Sequence, residues 1–355
     1  MNTHLNQTAA HWNQQTELSR QQNPGISWWE AGDAINEFTN RRISGDPGID
    51  WISYTLETYF WEKQHHVLKH LSLGCGSGHV ERSIAHKAPY QCIDAYDVAK
   101  GSIEIAREEA QKAGLDNLNY YVTNINEIQL PANTYDVVWI HAAMHHFEAL
   151  EHICRQIAHA LKPEGILVLQ EYIGPNRFQF PVRQKEIANL CLKLLPKNHR
   201  IMVPQMMKQE VERLSADRGI NWYAAKLTDK IKDGDLIGAL QRQLNYRVGK
   251  GKGRALQQDT ITFPTERSVM SIDPSEAIRS SDIVPVLKQQ FDIIEKKDWG
   301  GNILQFLLHG IAGNFANEDA HSKLLLKMLI NIEETLLECG EYTSDFAYIV
   351  ARPRI

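Results

Sequence analysis

The stretch HLSLGCGSGHVERSIA, residues 70–85, decides how the chain is read. A short apolar run leads into three glycines, and a helical pattern follows at once. The glycines Gly74, Gly76 and Gly78 are spaced G-x-G-x-G. A dinucleotide fingerprint needs G-x-G-x-x-G, and here its last position is His79. A phosphate-cradling loop needs a Lys followed by Ser or Thr at the helix start, and neither is present. What remains is a strand-to-helix turn in which glycine permits positive φ and lets a ligand lie against the backbone.

Outward from that loop the pattern alternates. YQCIDAYDV reads as a second strand and GSIEIAREEAQKAG as an amphipathic helix closed by Gly114. NLNYYVTNI is a third strand, and YDVVWIHAAM a fourth with a fully apolar centre. LEHICRQIAHALKPEG is a helix stopped by Pro163 and Gly165, and ILVLQEYI a fifth strand. Strands and helices in alternation imply right-handed crossovers and a parallel sheet covered on both faces. Beyond Pro175 the alternation lapses into a polar, helical stretch with a basic hinge, GKGKGR, at 249–254. DPSEAIRSSDIVPVLKQQF, from Asp273, reads as a helix opened by Asp and Pro. A strand, an apolar helix, the amphipathic helix 321–340 and the strand DFAYIVARP close the chain. Four segments result: an N-terminal helical or lid segment 1–69, an α/β core 70–175, a helical insertion 176–290 that caps the site, and a strand–helix–strand unit 291–355 that completes the sheet.

Composition agrees with a globular chain. It has 355 residues, 43% of them hydrophobic and 23% charged, which supports a substantial core. A net charge of −5 gives no global basic field, so neither nucleic acid nor an anionic membrane is an expected partner. The five cysteines are scattered with no CxxC pair, which suits reduced thiols in a cytoplasm. The first residues are polar and lack the apolar centre of a signal peptide. Aromatics crowd residues 12–61, among them Trp12, Trp28, Trp29, Trp51 and Trp61, either to anchor helices on the core or to roof a ligand.

With these motifs in order, the chain resembles the class I S-adenosylmethionine-dependent methyltransferases. LSLGCGSGHVERSIA is similar to their first motif; IDAYDVAKGSIEIAR, VTNINEIQLP, YDVVWIHAAMHHF and ALKPEGILVL follow in the family's sequence. The resemblance implies a Rossmann-like α/β fold, a mostly parallel seven-stranded sheet with helices on both faces, the last strand antiparallel. It implies S-adenosyl-L-methionine as cofactor, with S-adenosyl-L-homocysteine as product. It places Gly74, Gly76 and Gly78 against the cofactor and Asp97, with Val98 beside it, at the ribose hydroxyls. Asn124 stands where the family usually carries an Asp that meets the adenine amine, Ile125 would flank the ring, and His141 would line the methionine end. EYIGPNRFQF, DPSEAIRSSDI and LLHGIAGNF look like a bacterial group linked with surface-polysaccharide or secondary-metabolite pathways, which favours a small polar metabolite or sugar as acceptor.

Methyl transfer needs the acceptor in line with the methyl–sulfur bond, and a hydroxyl acceptor also needs a base. His145 and His146 lie just past the fourth strand, on the sheet edge where open α/β folds hold ligands, and Glu171 ends the fifth. These three are the candidate bases, though tandem histidines also pack or cap a following helix. Tyr172, Asn176 and Arg177 are the candidate acceptor contacts. No metal is expected, because two adjacent histidines make a poor chelate without a third ligand. His309, Asn302 and Asn314 break an apolar pattern and are expected to bond within the core. The apolar C-terminal helix offers a homodimer surface. N- or C-methylation, or a fold retained for binding without turnover, remain alternatives; a redox dehydrogenase is the weakest, given His79.

Overall fold

The computed structural model describes residues 3–21, 33–60, 67–89, 91–202, 257–261, 263–315 and 319–354. Trp28, Trp29, Trp61 and the hinge 249–254 lie outside the described residues.

Seven strands form one sheet in the order β3-β2-β1-β4-β5-β7-β6. They are β1 (Lys69–Leu73), β2 (Cys92–Asp97), β3 (Leu118–Val122), β4 (Tyr135–His141), β5 (Leu161–Tyr172), β6 (Phe291–Gly300) and β7 (Phe346–Pro353). β1 to β5 pair in parallel, and β7 enters antiparallel between β5 and β6. The order reverses at β1, where β2 turns one way and β4 the other. The carboxyl ends of those strands therefore open a crevice, as the alternation predicts.

Strand residues alternate between two cores. Val137, Trp139, Val168 and Val350 point to one face, where they meet α2 (Asp33–Ser44), α3 (Trp51–Phe60) and α4 (His79–Lys87). Val138, Ile140, Leu169 and Ile349 point to the other, against α6 (Leu150–Ala160). α5 (Lys100–Lys112) covers β2 and β3 through Ile103, Ala106 and Ala110. The buried alternation is what a two-faced parallel sheet requires. Trp139 donates its indole N–H to His70 Nδ1 at 3.0 Å, so this buried donor is satisfied, while His70 Nε2 is buried without a hydrogen-bond partner.

α1 (Thr3–Gln21) runs over the carboxyl edge of the sheet, and a turn at 45–50 separates α2 from α3. From the insertion, α7 (Val182–Leu194) joins the main core through Ala188, Cys191 and Leu192, as do Phe180, Ile261, Phe263 and Ala277. Two expectations are corrected. Asp273 does not open a helix; it caps the carboxyl end of α8 (Glu266–Ile272), and α9 begins only at Ile283 and runs to Gln290. Pro274 follows a helix here, the other place where proline belongs. The apolar helix after β6 shrinks to α10 (Leu304–Leu307), broken off where Gly310 takes φ 79°. His309 is exposed there and not in the core, whereas Asn302 and Asn314 donate to the carbonyls of Thr343 and Ile201 at 2.7 Å. The long helix α11 (Ala320–Glu338) closes the series, its start capped by Asp319. No helix among the described residues is long and apolar enough to cross a membrane.

Candidate functional site

One half of the site is the turn from β1 into α4. Gly74, Gly76 and Gly78 all have positive φ, at 76°, 52° and 75°. Their surroundings differ. A Cβ on Gly74 would stand 2.4 Å from Ala143 Cβ, and one on Gly78 would stand 2.5 Å from Tyr120 Oη. A Cβ on Gly76 would meet nothing within 4 Å. Two glycines are thus packing positions, and Gly76 alone borders open space. Its amide donates to Asp97 Oδ2 at 2.9 Å, and Ala99 N donates to Oδ1 at 2.8 Å. Burial raises the Asp97 pKa and those amides oppose the rise. Each oxygen keeps a lone pair for a further hydroxyl donor.

Beneath this loop Glu81 is buried, with Ser72 Oγ donating to its Oε1 at 2.5 Å. Burial pushes its pKa up to about 7. Ile125 is buried in the turn after β3, next in sequence to Asn124, whose side-chain oxygen caps Asn126 N at 3.2 Å. His141 stacks on Trp51, 5.5 Å between ring centroids, and burial lowers its pKa to about 4. Its imidazole is a neutral packing group. These residues fit the nucleoside that the sequence resemblance implies: a backbone open at one glycine, a carboxylate beside it, and an apolar flank two strands away.

The other half lies past β4 and β5. Glu171 is 1% exposed, and its carboxylate is wrapped. Oε2 accepts from Ala143 N at 2.9 Å and Met144 N at 2.6 Å, while Oε1 faces His145 Nδ1 at 2.5 Å. A carboxylate so fully engaged aims His145 and has little left for an acceptor. His145 Nε2 faces Glu276 Oε1 at 3.5 Å, a partner that sequence reading missed. Burial alone would lower the His145 pKa, but Glu171 and Glu276 raise it well above the ordinary imidazole value. Its proton therefore belongs to the carboxylate–imidazole group as a unit. His146 Nδ1 meets Ser275 Oγ at 3.0 Å, and Nε2 lies 4.0 Å from Glu276 Oε2. Burial and the neighbouring His145 charge lower its pKa.

The three residues expected to meet the acceptor each hold a partner within the protein. Tyr172 Oη donates to Pro175 O at 2.9 Å. Asn176 Oδ1 accepts from Ser281 N at 2.9 Å, and Arg177 Nη1 donates to Glu276 O at 2.8 Å. Arg177 N donates to Ala277 O at 2.7 Å, and Ile278 N to His145 O at 3.0 Å. Asn176 and Arg177 fasten the loop after β5 to the 273–281 loop, and together these bonds place Glu276 beside the histidines. Nothing local in the sequence marks Glu276, which lies 131 residues beyond His145.

α1 spans both halves. Thr8 Oγ1 and Trp12 Nε1 donate to the two oxygens of Asp273 at 2.9 and 3.0 Å, and the Trp12 ring stands edge-on to His146 at 5.2 Å. On the glycine-loop side, Asn13 Oδ1 accepts from Gly101 N at 2.7 Å.

Residues 71–169 match the family model described as a methyltransferase domain. The uncharacterised methyltransferase YcgJ of Bacillus subtilis (strain 168) is 28% identical over 108 residues, covering 30% of this chain and 41% of that protein. Malonyl-(acyl-carrier protein) O-methyltransferase of Bacillus anthracis is 31% identical over 109 residues, covering 31% of this chain and 39% of that protein. The chain thus spans about two fifths of the length of these curated relatives. The solved structure of YcgJ aligns with 85% of this chain and 97% of its own at 15% identity, with a TM-score of 0.41.

Proposed function

We propose, for a chain that belongs to the class I S-adenosylmethionine-dependent methyltransferases by the domain at residues 71–169, transfer of a methyl group to a hydroxyl oxygen of a small polar metabolite or sugar. The observation that carries this reading is the glycine turn, closed at Gly74 and Gly78 and open at Gly76, with Asp97 fixed at its rim. Gly76, Asp97 and Val98, Asn124 and Ile125, and the backbone at His141 would hold S-adenosylmethionine. When bound, that cofactor supplies a methyl group already activated on a sulfonium.

The chain's own residues do the rest. Asp97 and the loop amides orient the nucleoside. α1, pinned at Gly101 and at Asp273, screens the crevice from water. The cluster of His145, His146 and Glu276, fixed by Glu171, receives the polar end of the acceptor. The O-methyltransferase relative from Bacillus anthracis supports oxygen as the atom methylated, as does a cluster built to handle a proton.

Calorimetric titration with S-adenosylhomocysteine tests the reading. The full chain should bind it with micromolar affinity, and Asp97→Ala should weaken binding by about a hundredfold, the loss of two charge-assisted hydrogen bonds. No heat from the wild-type chain would end the proposal.

A further inference from the structure

The tandem histidines lack a third ligand in sequence; in the fold, Glu276 stands where one is needed. One ligand atom each from His145, His146 and Glu276 lie within 4.8 Å of one another. The pairs through Glu276 are 3.5 Å (His145 Nε2) and 4.0 Å (His146 Nε2). Ligand atoms around a tetrahedral ion with bonds of 2.0–2.2 Å stand about 3.3–3.6 Å apart. The His145–Glu276 pair already stands at that spacing, and the wider pairs close on it as an ion draws them in.

Three further features point to an ion. The far nitrogen of each imidazole is already held: His145 Nδ1 by Glu171, and His146 Nδ1 by Ser275 Oγ, with Asp273 Oδ2 at 3.5 Å. An Nδ1–H donated outward leaves the Nε2 lone pair facing inward, the carboxylate–histidine–metal arrangement. His146 Nε2 is buried without a hydrogen-bond partner, a state that costs about 1–3 kcal/mol unless a ligand takes the lone pair. Finally, Glu171, Glu276 and Asp273 surround two imidazoles, so a dication would offset most of their negative charge.

We propose that His145 Nε2, His146 Nε2 and the Glu276 carboxylate bind one divalent first-row transition ion. Two imidazoles and one carboxylate suit zinc or iron(II) and disfavour magnesium or calcium, which want oxygen shells. Three protein ligands leave a coordination position open, and an oxygen-bearing acceptor is the group that would fill it. That role rests on the methyl-transfer reading; the ion site itself does not.

The test uses the purified full chain stripped with a chelator. Cobalt(II) titration is followed by its visible d–d absorption, and zinc affinity by competition with a fluorescent chelator. The wild type should take up one ion per chain. Glu276→Gln and His146→Ala should each weaken zinc by about tenfold or more, while His86→Ala, on the exposed side of α4, should not. Thermal unfolding of the ion-free variants reports whether they fold, and Glu276→Gln preserves shape if His146→Ala does not. Absence of uptake by the wild type, or equal affinity and spectrum in Glu276→Gln, overturns the site. Ion uptake together with failure to bind S-adenosylhomocysteine would reject the methyltransferase reading and keep the ion.

Discussion

His145 Nδ1 lies 2.5 Å from one oxygen of Glu171, and the other oxygen of that carboxylate accepts the amides of Ala143 and Met144. A single buried side chain at the end of β5 thus shapes the turn after β4 and aims the ring that turn carries. Glu171→Ala leaves the amides of Ala143, Met144 and Tyr172 and an imidazole nitrogen without this acceptor in a dry site. It should lower folding stability by about 3–5 kcal/mol, the usual cost of breaking a buried charged pair. Glu171→Gln keeps one oxygen for the two amides and should cost less, about 1–3 kcal/mol. Urea unfolding of the two variants checks the order; equal losses would mean that the amide contacts contribute nothing.

The three glycines should separate into two kinds. Gly74→Ala and Gly78→Ala drive a Cβ against Ala143 and Tyr120 at positive φ, so each should lower stability by about 2–4 kcal/mol. Gly76→Ala meets no atom and bears only the backbone cost, about 1–2 kcal/mol. Its methyl nevertheless projects into the space assigned to the nucleoside. Calorimetry with S-adenosylhomocysteine should show a larger loss for Gly76→Ala than its stability loss accounts for. An unchanged affinity would place the nucleoside elsewhere.

Sequence reading finds this loop because its chemistry is local: spacing, strand before, helix after. The same holds for the sheet, whose five alternating strands and closing pair all form. It misses Glu276 because that residue reaches the histidines only through long-range bonds, from Arg177 to Glu276 O and from Ile278 N to His145 O. Nor do local patterns show that Tyr172, Asn176 and Arg177 hold partners within the protein, in the 273–281 loop or nearby at Pro175. Asp273 misleads similarly: Asp-Pro is a helix start by local rule, but α8 arrives first and its end claims the residue.

Glu81 makes stability depend on pH. Burial lifts its folded pKa to about 7 from the ordinary 4.5, so the native state binds the proton more tightly than the unfolded chain. Stability from this group is complete below the unfolded value and falls as pH rises through the folded one, by at most about 1.4 kcal/mol per unit. Asp345, buried with Gln184 on its Oδ2 and also raised to about 7, acts in the same window and direction. Burial lowers the imidazoles of His70 and His141 to about 4, and they act in the opposite direction over the same window, so the test is a difference between variants. Urea unfolding between about pH 5 and about pH 7.5 should show Glu81→Gln losing less stability, or gaining more, as pH rises than the wild type does. Parallel profiles would contradict the Glu81 assignment.

Asp273 and Trp12 decide whether α1 behaves as a roof. The indole N–H donates to Asp273 Oδ2 at 3.0 Å, close to the point where the ring meets His146. Trp12→Phe removes that one donor and keeps an aromatic ring in place. A hydrogen bond to a carboxylate contributes about 1.5–3 kcal/mol, so local opening of α1 should become about tenfold or more easier. Hydrogen exchange should quicken across residues 3–21 by that factor while the amides of β4 keep their rates, since β4 sits at the centre of the sheet. Faster exchange in both, or in neither, would show that α1 opens only with the whole domain. In that case the helix would be part of the core instead of a cover that admits an acceptor.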